Sequence, residues 1–194
     1  MVRNKFKVTV KYDIKGYDSE EKLKEYELYE GSSLTLDTYQ DFSQEYADYT
    51  SEFEFMGYSL NSQIITDSVV LTPNGDCTYE AVWKETQWCM VKFDVVWARP
   101  SGWGKGGTKK SMSGVSNTNG TNQIRVERNP TLNFADYVAT ATYNYKITVF
   151  ARDYDFKTVA WQDTAENVNV GSYRGATSMV ITSNCTLKPV WKAQ

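Results

Sequence analysis

Few stretches of this chain combine the residue types and spacings that chemistry requires. The nearest to a phosphate cradle is Gly102-Trp-Gly-Lys-Gly-Gly-Thr-Lys109. A nucleotide-binding loop sets Gly-Lys-Ser/Thr in a row, so that backbone N–H groups and the lysine reach the phosphates together. Here Gly107 is followed directly by Thr108. The lysine is displaced and no strand-to-helix pattern surrounds it, so nucleotide binding is not expected. Carboxylates pair in sequence at Glu20/Glu21 and at Asp153/Asp155. A glycosidase needs two such groups converging across a cleft, and neighbours on one strand or turn do not predict that. Asp153-Tyr-Asp-Phe156 offers oxygen ligands but lacks the glycine and the distal glutamate of a calcium loop. The chain contains no histidine, which removes the commonest general base and any Ser-His-Asp arrangement. The residues predict a non-enzymatic protein that uses no cofactor and no metal.

Cys77, Cys89 and Cys185 are the only cysteines, an odd number without metal-site spacing. They are expected to be small, mostly buried thiols. Asn119-Gly-Thr and Asn184-Cys-Thr match glycosylation sequons and are expected to be idle. The net charge of −3 conceals a division. Residues 1–85 hold 8 Lys and Arg against 17 Asp and Glu, giving −9, and residues 86–194 hold 13 against 7, giving +6. An acidic half followed by a basic half suggests docking of one onto the other, within a chain or between copies. The basic charge is spread out instead of forming dense runs, so nucleic acid is not an expected partner.

The basic residues concentrate around residues 99–128, where Arg99, Lys105, Lys109, Lys110, Arg125 and Arg128 face a single Glu127. Trp103 lies among the glycines of this stretch. Trp and Arg dominate binding hot spots. The segment is therefore read either as a solvated hairpin tip or as a contact arm, and Arg99, Trp103, Lys105, Lys109, Lys110, Arg125 and Arg128 are its candidate partner-binding residues. The N-terminus has no apolar run of the signal-peptide kind, and no stretch is apolar for long enough to span a membrane.

The elements that must carry these residues are mostly strands. Fourteen Tyr, eight Phe and six Trp favour pleated surfaces. Phe6, Val8, Val10 and Tyr12 alternate with polar residues, and Leu23–Glu30 can pair with them across a polar turn. Phe42, Tyr46 and Tyr49 behind Asp41 predict a helix over 40–50. Phe134, Val138 and Ala141 behind Asn133 predict another over 131–142. The pattern also repeats. Cys77-Thr-Tyr-Glu-Ala-Val-Trp-Lys84 matches Cys185-Thr-Leu-Lys-Pro-Val-Trp-Lys192, and Val69-Val-Leu-Thr matches Met179-Val-Ile-Thr. Phe53-Glu-Phe-Met-Gly-Tyr-Ser matches Phe156-Lys-Thr-Val-Ala-Trp-Gln in pattern, and each half opens with an alternating strand, Phe6-Lys-Val-Thr-Val-Lys-Tyr and Val91-Lys-Phe-Asp-Val-Val-Trp. Four matches in the same order argue for duplication. The expected architecture is mostly β (α+β), with two tandem ββαββ domains over 1–86 and 87–194, the second carrying the basic insertion 99–128. Trp83, Trp97, Trp161 and Trp191 are expected to fill cores.

Val8-Thr-Val-Lys-Tyr, Tyr29-Glu-Gly-Ser-Ser-Leu-Thr-Leu, Phe55-Met-Gly-Tyr and Thr78-Tyr-Glu-Ala-Val-Trp together resemble the Listeria–Bacteroides repeat, the internalin B-type B-repeat. Tyr58 stands where that pattern has Trp, Ala160 stands where it has Gly, and the second half carries the insertion. The resemblance implies β-grasp-like domains and a structural or adhesive role at a bacterial surface, without catalytic residues. The expected function is a non-enzymatic structural or binding module on the outside of a bacteriophage virion, as a decoration or fibre component, or of a bacterial cell. Its expected partners are proteins, including copies of itself. The alternative is a carbohydrate-binding or adhesin module of a larger exported protein, with a surface glycan as partner.

Overall fold

The computed structural model describes residues 4–14, 17–18, 20–65, 70–97, 107–147, 150–164 and 175–194. Its elements are β1 (Lys5–Lys11), β2 (Leu23–Tyr29), β3 (Leu34–Thr35), β4 (Phe42–Glu45), β5 (Thr50–Leu60), β6 (Gln63–Ile65), β7 (Val70–Leu71) and β8 (Cys77–Phe93). There follow β9 (Gly107–Met112), β10 (Gln123–Glu127), β11 (Thr131–Asn133), a 3-10 turn (Phe134–Asp136), β12 (Thr140–Ile147), β13 (Phe150–Asp163), β14 (Ser178–Val180) and β15 (Cys185–Ala193). The chain forms two compact units. Unit 1 comprises Met1–Gln44 and Ser51–Thr86; unit 2 comprises Gln87–Gln194 together with the short segment Glu45–Thr50.

Unit 1 begins with the β1–β2 hairpin, in antiparallel register from Lys5 opposite Tyr29 to Lys11 opposite Leu23. The other side of β1 receives the start of β8 in parallel, Val8 facing Cys77 and Val10 facing Tyr79. Next to β8 lies β5, which also pairs with β4 and β6. The short strands β3 and β7 pair separately, Leu34 opposite Leu71. Alternation places Val8, Val10 and Tyr79 inside with Leu34, Leu36, Tyr58 and Leu71, while Lys5, Lys7 and Lys11 reach across to Glu27, Glu25 and Glu21.

Unit 2 repeats this arrangement with one strand added: β9, between β8 and β10 in the chain, pairs with β12 at the far edge. The end of β8 pairs antiparallel with β10, Val91 opposite Ile124, and in parallel with β15, Val91 facing Cys185 and Phe93 facing Leu187. Then come β13, β12 and β9 in order. The short strands β11 and β14 pair separately, Leu132 opposite Met179. Its core contains Val91, Phe93, Phe134, Phe156, Trp161, Ile181, Leu187 and Trp191.

The mostly-β reading holds; the two helices do not. Among the described residues there is no α-helix, so the expected ββαββ arrangement is corrected. Residues 40–50 form β4, a turn closed by Tyr46 N–H on the Tyr49 carbonyl, and the start of β5. The helical spacing of Phe42 and Tyr46 has another use here: Phe42 stacks on Phe53 at 4.8 Å and Tyr46 on Tyr49 at 4.8 Å. In 131–142 the cap at Asn133 is real, its side chain accepting from Ala135 N–H, but the turn it opens ends at Asp136. Beyond it Ala139, Ala141 and Tyr143 are buried alternately, a period of two that β-branched Thr140 and Thr142 favour.

Candidate functional site

In unit 1 the chain leaves β1 through a turn that Asp18 closes. Its carboxylate accepts the Ile14 N–H at 2.7 Å and pairs with Lys22 at 2.6 Å. The lysine and that backbone N–H hold the Asp18 carboxyl below the usual carboxylate range. The turn sets the Tyr17 ring edge-on to Phe53 at 4.7 Å, and the Tyr17 hydroxyl donates to Glu85. Buried Ser51 donates to the same Glu85 oxygen at 2.6 Å.

Between these residues and the outer part of β8 lies a cleft of about 450 Å³, lined by Asp13, Ile14, Tyr17, Phe53, Glu80, Trp83 and Glu85 among others. Four carboxylates (Asp13, Glu21, Glu80 and Glu85) face one Lys11 around it, and Lys11 is itself paired with Glu21. Trp83 is surrounded by Tyr39, Phe42 and Phe55 at ring distances of 5.9, 5.5 and 5.1 Å. Its indole N–H is enclosed but has no hydrogen-bond acceptor among the described residues. Aromatic faces combined with excess negative charge suit a basic group, which gains both Coulombic and cation–π attraction.

Sequence reasoning missed this cleft. Tyr17 falls in the polar turn between the first two strands and Asp13 carries no signal of its own, and only the tertiary fold carries them to the cleft beside Phe53 and Trp83. The available signal was the acidic excess of residues 1–85.

The basic candidates divide. Arg99, Trp103 and Lys105 lie outside the described residues. Lys109 and Lys110 belong to β9, which pairs with β12, and Lys110 binds Asp153 at 2.6 Å. Arg125, on β10, lays its guanidinium over Trp88 at 4.4 Å. Arg128 follows β10, donates to the Thr182 carbonyl and to Gln87 at 2.8 Å each, and stacks on Tyr49 at 4.3 Å. β9 and β10 lie on opposite edges of the order β10-β8-β15-β13-β12-β9. Five strand spacings separate them, about 24 Å along the sheet. The structure therefore does not gather these four residues into one arm. The segment between the two strands is also built in: Val115 and Thr118 are buried, and Asn122 accepts the Val115 N–H at 2.8 Å.

The carboxylates singled out by sequence take part in cross-strand contacts. Asp153 accepts from Asn144 and Lys110 at 2.6 Å each, and Asp155 accepts from Thr142 at 2.9 Å. The cysteines are all free, with Cys89 buried and the other two half-buried. Burial, aided by Asp163 and Cys89, pushes the Cys185 thiol up to about 11. Among the described residues no helix is long and apolar enough to cross a membrane.

No protein-family model, curated protein or solved structure matches this chain.

Proposed function

We propose that this chain is a non-enzymatic structural and binding module, made of one duplicated β unit and displayed on the outside of a bacteriophage virion or a bacterial cell. It acts through protein–protein contacts. The observation that carries this reading is the connectivity shared by the two units. In each, the closing strand runs parallel to the opening strand, with Cys77 facing Val8 and Cys185 facing Val91. Kinship with the Listeria–Bacteroides repeat belongs to the same proposal and rests on the motifs along these strands. The lack of histidine and the engagement of Asp153 and Asp155 in cross-strand bonds support a binding role over catalysis. An antibody raised against the chain should label intact particles or cells of its source without permeabilisation. Labelling that appears only after lysis would overturn the surface placement.

A second reading, a carbohydrate-binding module, is favoured by Trp83 and Tyr17 lining one cleft, since aromatic faces also stack on sugar rings. A glycan array separates the two readings: Trp83-dependent binding to a defined glycan supports the second.

A further inference from the structure

The two units treat one position differently. Val8 and Val91 hold the same register against Cys77 and Cys185. Counting on from them, Asp13 and Ile14 correspond to Val96 and Trp97, and Trp83 corresponds to Trp191. The matched hairpin strands likewise equate Phe53 with Phe156.

In unit 2 the chain fills its own socket. After Phe93 it turns tightly, Val96 N–H donating to the Asp94 carbonyl at 2.8 Å. The Trp97 ring then lies against Phe156 at 5.1 Å and Trp191 at 5.5 Å. The Val96 carbonyl accepts the Trp191 indole N–H at 3.0 Å. In unit 1 the chain stays with its hairpin, Tyr12 N–H donating to the Lys22 carbonyl at 2.9 Å. Ile14 stands where the tryptophan would be. Phe42 and Tyr17 pack on Phe53, which is almost fully buried, and a cleft of about 450 Å³ remains beside them. The Trp83 indole N–H has no acceptor among the described residues, and an enclosed unpaired donor costs about 1–3 kcal/mol.

We propose that the unit 1 cleft is a socket for the Trp103-bearing segment of a second copy of this chain. What the socket lacks relative to unit 2 is a carbonyl oxygen for the indole N–H, and its carboxylate excess favours a basic occupant. Arg99-Pro-Ser-Gly-Trp-Gly-Lys-Gly106 has a tryptophan between glycines, two cations and no carboxylate. A contact between unlike surfaces joins copies head to tail, into closed rings, a reciprocal pair among them, or into open chains. This inference rests on the reading of the chain as a protein-binding module and names its site and its partner.

Sedimentation velocity of the full chain across a dilution series tests it, at about 50 and about 500 mM salt. The expected result is concentration-dependent association, weakened by salt. Trp103→Ala and Glu80→Lys should each shift its midpoint by about tenfold or more, with unchanged circular dichroism. A chain carrying both Glu80→Lys and Lys105→Glu should restore association through the reversed pair. A chain that stays monomeric, or association indifferent to Trp103→Ala, would overturn the proposal. So would a Trp103-dependent change in Trp83 fluorescence that does not vary with concentration, because the segment would then dock within its own chain. A monomer that still labels intact particles would sink this inference alone; Trp103-dependent association without surface labelling would sink only the surface reading.

Discussion

Tyr58 and Trp161 hold the same place in their two units and make the same bond with different rings. Each is buried on the second strand of its second hairpin. The Tyr58 hydroxyl donates to the Asp37 carbonyl at 2.9 Å and the Trp161 indole to the Tyr137 carbonyl at 2.8 Å. Both acceptors lie just beyond the short strand that leads out of the first hairpin. A large ring thus fills the core while its polar end ties down the loop over it. Just before each ring the strand is irregular: Gly57 takes a φ of 113°, which glycine adopts readily, and Ala160 sits at a register shift between β13 and β15.

Removing either donor should therefore cost a hydrogen bond. Tyr58→Phe and Trp161→Phe each leave a carbonyl short of a bond; Tyr58→Phe is expected to destabilise by about 1 kcal/mol. Trp161→Phe also leaves a cavity, and about 2–4 kcal/mol is expected. Urea unfolding of the two variants checks the order.

Phe156 is fully buried and Phe53 nearly so. Truncating either to Ala should cost about 3–5 kcal/mol. A cost under about 1 kcal/mol at Phe53 would show that its ring is not packed into unit 1. Thermal denaturation followed by near-ultraviolet circular dichroism distinguishes these outcomes.

Stability should fall on the alkaline side. The Cys185 thiol is raised to about 11 by burial and nearby acids, and Tyr79 to about 12 by burial and by Cys77. Both favour the protonated form in the folded state. Their contribution is complete below the unfolded values, near 9 and 10, and is lost as pH rises through the folded values. Denaturant midpoints should stay level to about pH 9 and drop between pH 9 and 12. Cys185→Ala should flatten the first part of that drop by on the order of 1 kcal/mol, because the half-buried thiol is partly screened.

Glu45–Thr50 belongs to unit 2 because Arg128 and Asn184 hold it. Arg128 stacks on Tyr49, and the Asn184 side chain donates to the Ala47 carbonyl at 3.3 Å while accepting the Met90 N–H at 2.8 Å. Arg128→Ala should speed amide exchange across residues 46–49 by about tenfold, with little change in β1 and β2. Uniform protection across both units in the variant would show that Arg128 does not hold the tip.

The strands were legible wherever one face is buried. β1 and β2 follow from alternation, and the strands around Trp83 and Trp191 follow from matched Cys-Thr-x-x-x-Val-Trp-Lys spacing. The segments 40–50 and 131–142 misled because aromatic residues four apart suit a helix face and also suit a hairpin whose rings stack across the turn. Neighbours on another strand decide between these, and a local pattern does not contain them. The site was less legible than the fold. Asp13, Ile14 and Tyr17 carry no mark of their own, and the Trp83 indole N–H, without an acceptor among the described residues, can be recognised only beside the satisfied Trp191.

By itself the sequence determined what local physics can enforce: period-two strands, an aromatic interior, an acidic first half and a basic second half, and the absence of histidine chemistry. Only the tertiary structure decided the parallel closure of β8 on β1 and of β15 on β8, the separation of Lys109 and Lys110 from Arg125 and Arg128, and the open cleft beside Trp83. Each of these depends on contacts between residues far apart in the chain, where burial and hydrogen-bond satisfaction across the whole unit outweigh the preferences of any short segment.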